Sequence, residues 1–551
     1  MQQSSTRVRS RTFLSLLPSL LPSLLPSLLL AAMFLLYSIP VTAGTCEGLV
    51  RAKLTNTTVT TAEVVSSGSL TPPGSATALR DLPMFCRVAG IIKPTADSEI
   101  KFEVWMPASD WNGKFHGIGN GGFAGSISYP GLAAALTRGY ASASTDTGHS
   151  TGDASWALGH PEKLVDFGHR AIHEMTEKAK LIVASYYGSG PKRSYFSSCS
   201  NGGRQALMEA QRYPSDYDGI IAGAPANSFS KILTGFAWNL QVTLKDPGSY
   251  IPAIKLKAIE AAALAACDGR DGVSDGVIDD PTKCRFDPVV LLCKGAESDS
   301  CLTEKQIAAL RKVYSGPRTS MGQQVTAGFL PGGETGQGGW SGWITGAAPK
   351  TGAQFFFATQ AFRYMVHGNP EWDFQTFDLD KDGKLAEQRL APTLDAIDPN
   401  LKAFKARGGK LILYHGWNDA ALPPVNTINY VKSVASAMGQ RQTDEFVRLF
   451  MVPGLQHCAG GPGPNTFGAQ VTPQQGDAQN DLTKALERWV EEGIAPEKVV
   501  ASRRQGADPK AATLRTRPLC PYPQVAKYKG SGSTDEASNF ACGSDDQRAK
   551  D

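Results

Sequence analysis

The chain has 551 residues and a formal charge of +4, from 55 Lys and Arg against 51 Asp and Glu, with 19% charged residues. That balance is too mild for a nucleic-acid-binding protein, whose affinity rests on concentrated positive charge. The length allows a large core and more than one domain, and 57 Gly with 35 Pro points to a loop-rich α/β protein rather than a helical bundle.

Residues 1–43 read as an export segment that is not part of the fold. Arg7, Arg9 and Arg11 give it a positive start, and Phe13 to Tyr37 is apolar, broken by Pro18, Pro22 and Pro26. Val41-Thr42-Ala43 has the small residues of a cleavage site. The mature chain is therefore expected to begin near Gly44 and to be secreted or periplasmic. A membrane anchor is the alternative; the prolines and the cleavage-like end speak against it. Cys46 follows Thr45 rather than Gly44, so no lipid-anchor motif is evident. An oxidising compartment fits ten cysteines with no CxxC pair suited to zinc or redox work: Cys46, Cys86, Cys199, Cys267, Cys284, Cys293, Cys301, Cys458, Cys520 and Cys542.

In the mature chain, Ile100 to Pro107 alternates and predicts a strand. Lys114 to Gly125 predicts a strand running into a glycine-rich loop. Such loops also cradle phosphates, but no GK[ST] follows. In a serine hydrolase the loop would supply an oxyanion donor, for which Gly122 is the candidate; a flexible turn is the alternative. Gly139 to His149 is another strand and turn. Its Ser, Asp and His lie within eight residues, too close to converge on one atom, so they read as structural support. Asp166 to Tyr187 has a helical pattern.

Tyr195 to Cys199 then predicts a buried strand, followed by Ser200-Asn201-Gly202-Gly203 and a helix with Ala206, Leu207 and Ala210 at helical spacing. A strand-turn-helix of this kind lifts one serine into an exposed turn with a backbone N–H behind it. Ser198 takes the place of the first glycine of the G-x-S-x-G fingerprint, so the motif is degenerate. Tyr217 to Pro225 is the next strand.

From 226 to 405 the βα rhythm is lost, which predicts a lid or substrate-binding insertion between core segments 44–225 and 406–551. Its aromatics are Trp340, Trp343, Phe355, Phe356, Phe357, Phe362, Tyr364 and Trp372. Most are expected in its core, with one or two free to stack on a substrate ring. Asp268, Asp271 and Asp275 in a glycine-rich loop would repel each other without a cation, and hard oxygens at this density suit Ca²⁺. Plain Asp-Gly turns are the alternative. A second acidic loop, Asp378 to Gly383, starts like an EF-hand but has Arg389 where a bidentate Glu is needed, and reads as a turn without metal.

The rhythm resumes with an apolar run, Leu411 to Tyr414, that reaches Asp419 through His415-Gly416-Trp417-Asn418. Another, Leu449 to Val452, is followed by His457-Cys458. Ser200, Asp419 and His457 each stand just past a strand, in the chain order that α/β-hydrolases use for nucleophile, acid and base. If Ser200 meets His457, Cys199 and Cys458 must also come close and should bond.

Cys199-Ser200-Asn201-Gly202-Gly203, Asp419, His457-Cys458 and the Asp-rich loop 268–277 together resemble the tannase/feruloyl esterase family of secreted α/β-hydrolases. The resemblance spans nearly the whole mature chain, and the tail Thr516 to Pro523 looks like its terephthalate-ester branch. It implies an α/β-hydrolase core with a large inserted lid, and a structural Ca²⁺ on Asp268, Asp271, Asp275 and the carbonyls of Val273 and Val277. It also implies disulfides Cys46–Cys86, Cys267–Cys284, Cys293–Cys301 and Cys520–Cys542. The activity implied is hydrolysis of small aromatic esters, feruloyl, galloyl or terephthaloyl half-esters such as mono(2-hydroxyethyl) terephthalate. Ser200 would be the nucleophile, His457 the base and Asp419 its orienter, with the N–H groups of Asn201 and Gly122 holding the oxyanion. No nucleic-acid or membrane partner is implied. A catalytically dead calcium-binding carbohydrate module is the reading from another class, and an amidase the rival within enzymes.

Overall fold

The computed structural model describes residues 44–469, 476–506 and 511–544; the expected export segment lies outside the described residues. The large sheet has nine strands. They are β1 (Thr57–Val65), β2 (Phe85–Ile92), β3 (Ile100–Pro107), β4 (Lys114–Ile118), β5 (Ala141–Thr145), β6 (Arg193–Cys199), β7 (Gly219–Gly223), β8 (Lys410–Gly416) and β9 (Val447–Val452). Their order across the sheet is β1-β2-β3-β5-β4-β6-β7-β8-β9. The pairs β1/β2, β2/β3 and β3/β5 are antiparallel. The rest, from β5 through β9, are parallel.

Parallel strands are covered on both faces, so β7, β8 and β9 are largely apolar runs rather than alternations. Every residue of β7 is buried, and every residue of β8 except Lys410. Successive side chains still point to opposite faces. Phe196, Ile220, Leu411 and Leu413 enter one apolar cluster, and Tyr195, Ile221, Ile412 and Tyr414 the other. Helix α1 (Tyr129–Thr137) and helix Leu482–Glu492 cover the second of these faces. Helices α2 (Ala171–Tyr187) and α3 (Asn201–Arg212) cover the first, with helix Pro424–Met438. Asp166–Arg170, ahead of α2, is wound as a π-turn. The chain leaves β4 toward β5 on one side and returns to β6 on the other. The loops after β4 and β6 therefore diverge at the carboxyl edge, and such a switch point opens a ligand crevice.

Residues 226–405 give no strand to this sheet. They form helices Phe229–Leu244, Ala253–Cys267, Glu304–Ser315, Ala353–Gln360 and Leu379–Leu394. Two further apolar clusters hold them together, one with Phe236, Phe362, Trp372 and Leu390, the other with Ile251, Leu256, Leu310 and Trp340. The acidic segment from Asp378 is not the turn that the sequence predicts. Asp378 caps helix Leu379–Leu394, its Oδ1 accepting the N–H groups of Asp380 (3.1 Å) and Lys381 (3.0 Å). An aspartate one residue before a helix satisfies its orphan amides, and that signal outweighs the EF-hand likeness. Five disulfides join Cys46–Cys86, Cys199–Cys458, Cys267–Cys284, Cys293–Cys301 and Cys520–Cys542.

Helix α3 starts unusually close to β7. A Cβ on Gly203 would lie 2.3 Å from the Gly223 carbonyl oxygen and 2.9 Å from Pro225 Cα. Both are backbone and cannot swing away. Gly203→Ala is expected to destabilise the fold by about 1–3 kcal/mol or more, as overpacking does. Thermal unfolding of the purified variant checks this, and a Tm equal to wild type would refute the close approach.

Candidate active site

Ser200 stands between β6 and α3 at φ 65°, ψ −126°. A residue with a Cβ is strained there, so neighbouring bonds must hold it. Its N–H donates to the Gly223 carbonyl at 2.9 Å, and its carbonyl accepts the N–H groups of Arg204 and Ala226, both at 3.1 Å. The room that the degenerate motif needs comes from elsewhere in the chain. A Cβ on Gly202 would lie 1.9 Å from Ser198 Oγ, and one on Gly119 would lie 2.9 Å from it. Two bare glycines thus accommodate the serine that replaces the first glycine of the fingerprint.

His457 Nε2 lies 2.9 Å from Ser200 Oγ, and its Nδ1 lies 2.8 Å from Asp419 Oδ2. With the carboxylate at Nδ1, that nitrogen carries the proton and Nε2 is free to accept from the hydroxyl. Asp419 Oδ1 accepts the N–H groups of Ala421 and Leu422, both at 2.8 Å. His415 Nε2 donates to Asp419 Oδ2 at 3.1 Å and to the Leu422 carbonyl at 3.2 Å, while its Nδ1 meets Thr427 Oγ1 at 2.7 Å. Burial alone would raise the Asp419 carboxyl; the His457 charge and the hydrogen bonds from His415 and His457 outweigh it and hold it well below the usual carboxylate range. Cys199 and Cys458, flanking Ser200 and His457, are bonded, with Cα atoms 5.9 Å apart.

The loop after β4 is tied to helix α3. The Asn120 N–H donates to Gln205 Oε1 at 2.9 Å, and Gln205 Nε2 returns a bond to Asn120 Oδ1 at 3.3 Å. Asn201 Nδ2 donates to the Asn120 carbonyl at 3.2 Å. Among the described residues no acceptor meets the N–H of Gly122, whose φ is +56°. Arg204, fully buried, donates to Asn201 Oδ1 (2.8 Å) and to the carbonyls of Gly168 (2.6 Å), Phe167 (3.0 Å) and Leu394 (3.4 Å). Its guanidinium lies over Phe167 and Phe229, and burial lowers its pKa to about 9, so it stays charged at neutral pH. The Ser, Asp and His of the 139–149 stretch do not meet. Asp146 Oδ1 accepts the N–H groups of Lys101 and Gly148, both at 2.9 Å, and His149 Nε2 lies 2.7 Å from the Phe123 carbonyl, behind the glycine loop.

Of the insertion's aromatics, Trp343 and Phe357 face this centre. The Trp343 ring stands edge-on to His457, centroids 4.9 Å apart. The Phe357 ring lies 3.4 Å from where a Gly122 Cβ would be, and the two rings stack at 6.1 Å. Trp340, Phe362 and Trp372 are buried in the insertion's core, and Phe355 packs on Phe374.

In the acidic loop, Asp268 accepts the N–H groups of Asp275 (3.2 Å) and Gly276 (3.0 Å), and Asp271 that of Val273 (2.9 Å). Asp275 pairs with Arg515 at 3.0 Å and with Arg517, both on a strand, Thr513–Leu519, near the carboxyl terminus. Among the described residues no three His, Cys, Asp or Glu side chains converge as metal ligands. The donor chemistry nevertheless suits a hard cation. Burial and the neighbouring Asp271 push the Asp279 carboxyl up to about 8, and burial with the adjoining acids raises Asp271. Crowded carboxyls of this kind are what a divalent cation relieves.

The sheet order, the strained serine turn and the Ser-His-Asp hydrogen-bond chain define an α/β-hydrolase. A family model described as tannase and feruloyl esterase matches residues 86–543. An uncharacterized esterase of Xanthomonas campestris is 43% identical over 539 residues, covering 93% of each chain. Mono(2-hydroxyethyl) terephthalate hydrolase of Piscinibacter sakaiensis is 35% identical over 538 residues, covering 84% of this chain and 85% of that protein. The crystal structure of feruloyl esterase B from Aspergillus oryzae superimposes with a TM-score of 0.84 at 29% identity, over 90% of this chain and 99% of that one. The chain belongs to the tannase/feruloyl esterase family and is a carboxylic ester hydrolase. The reading as an inactive binding module has no support.

The sequence reading passed over His415 and Arg204. A polar residue in an apolar strand or at a helix start announces no partner; the only signal was that neither belongs in such a setting unpaired.

An unfolded Asp titrates at about pH 3.9. Because the folded Asp419 binds its proton less tightly, it contributes stability above that pH, which is lost as pH falls toward the lower folded value. The Tm difference between wild type and Asp419→Asn should be level from neutral pH to about 5 and shrink below about 4. A difference that persists unchanged in stronger acid would contradict the depressed carboxyl.

Proposed function

We propose that this protein is an exported serine esterase that cleaves esters of aromatic carboxylic acids through an acyl-enzyme. The observation that carries the reading is the unbroken chain from Ser200 Oγ to His457 (2.9 Å) and on to Asp419 (2.8 Å) at the switch-point crevice. Ser200 Oγ attacks the ester carbonyl while His457 Nε2 takes its proton. Asp419, kept ionised, holds the imidazole and stabilises its charged form. The N–H groups of Asn201, at the start of α3, and of Gly122 hold the oxyanion. His457 then protonates the leaving alcohol, and water, activated by the same histidine, frees the acid from Ser200. Trp343, edge-on to His457, and Phe357, stacked on Trp343, put two aromatic rings next to the Ser200–His457 pair, which supports an aromatic acyl group. Feruloyl, galloyl and terephthaloyl half-esters fit that description, and relatives are named for feruloyl and mono(2-hydroxyethyl) terephthalate esters. Five disulfides support an oxidising destination.

Ser200→Ala should fold and lose on the order of 10⁶ in kcat. A panel of the three ester types reads the residual rate and the acyl preference together. Retention of more than about a tenth of wild-type activity would remove Ser200 as nucleophile.

We also propose one structural Ca²⁺ held by the carboxylates of Asp268, Asp271 and Asp275 and the carbonyls of Val273 and Val277. Its charge would relieve the crowding of the acids and fix the insertion's loop, with no part in the chemical step. Elemental analysis of protein never exposed to chelator should find calcium, and Tm should rise with free Ca²⁺ as mass action requires. Metal-free protein with an unchanged Tm in added calcium would dispose of the site.

A further inference from the structure

Gln456 immediately precedes His457 and is 3% exposed. Its side chain reaches away from the catalytic centre to a strap of the insertion. Nε2 donates to the Thr335 carbonyl at 2.6 Å, and Oε1 accepts the Gly338 N–H at 3.1 Å. The strap is shaped to receive it. A Cβ on Gly336 would lie 3.0 Å from Gln456 Nε2, and one on Gly338 2.8 Å from Oε1. Glu260 holds Thr335 from the other side, accepting its N–H at 3.2 Å and its hydroxyl proton. The strap then passes through Trp340, whose N–H donates to the Glu334 carbonyl at 2.9 Å, and delivers Trp343 onto the His457 ring at 4.9 Å. The contacts close a circuit: His457, Gln456, the strap, Trp343, and back to His457.

We infer that Gln456 is a positioning residue: its amide clasp registers the insertion on the histidine loop, so that Trp343 sets the imidazole where it can take the Ser200 proton. Neither end of the clasp touches the reacting atoms. The inference rests on the reading of Ser200 and His457 as nucleophile and base. Misplacement of a catalytic group by about 1 Å is enough to lose on the order of 10²-fold in rate. The loss should therefore fall on kcat rather than on KM for a small acetyl ester, whose binding needs no aromatic wall.

The test uses the full oxidised chain and a small fluorophosphonate probe, with the adduct located by peptide mass. Wild type should be labelled at Ser200. Gln456→Leu, which deletes both bonds, should be labelled and should turn over acetyl ester about 10²-fold more slowly. Gln456→Glu keeps the acceptor toward Gly338 and should fall between. Gly338→Ala, which presses on the clasp from the strap side, should lower the rate by itself. It should add little to Gln456→Leu, because both changes break the same contact. Labelling of Gln456→Leu at the wild-type rate overturns the role of Gln456. No labelling of Ser200 in wild type overturns the site reading instead. Should Gln456→Leu fail to fold, wild-type rates in both Gln456→Glu and Gly338→Ala overturn the clasp.

Discussion

Left-handed backbone costs a residue with a Cβ about 1–3 kcal/mol, and Ser200 keeps that conformation because its surroundings over-determine it. The amide of Ser200 is bonded to Gly223, its carbonyl to Arg204 and Ala226, and the preceding cysteine is fixed to Cys458. The first turn of α3 can approach β7 and the glycine loop only because positions 119, 202 and 203 have no side chain. The sheet supplies the frame: the loops after β4 and β6 diverge there, one carrying Gly122 and the other Ser200.

The acid end of the site is built by the same logic of enforced company. A buried carboxylate without partners would take up a proton. Asp419 is instead surrounded by donors, two from the backbone and two from imidazoles. His415 is itself fixed by Thr427, so the orientation of the acid is set by the helix Pro424–Met438 as well as by β8. The insertion reaches the site through Trp343, whose ring meets that of His457.

Much of this was legible in the sequence, for physical reasons. Strands buried on both faces tend to appear as apolar runs, and β8 and β9 were visible as such, while β4, β6 and β7 showed as strands running into turns of small residues. The serine turn, the acid and the base each follow one of these strands, so local pattern and chain order sufficed. What stayed hidden is everything that depends on contacts between distant segments. That Arg204 would bind carbonyls at 167, 168 and 394 has no local signature. Nor does the reach of Arg515 and Arg517 to Asp275, some 240 residues away. Asp378 was a local error of a different sort, a helix cap read as part of a metal-free turn. The compensation of Ser198 by Gly119 and Gly202 could not be read either, because a degenerate motif does not say where the missing space will be found.

The Cys199–Cys458 bond joins residues 259 positions apart and closes a covalent ring that contains the whole insertion. In the chain-entropy view such a closure restrains the unfolded chain by about 5 kcal/mol at most. It has a topological side too. A peptidase that nicks any surface loop between the two cysteines, where exposed loops are the preferred points of cleavage, opens the ring but does not release either piece. The fragments remain spliced at the residues that adjoin Ser200 and His457, so an esterase scarred in its insertion can still migrate as one species and keep those two side by side until a reductant parts them.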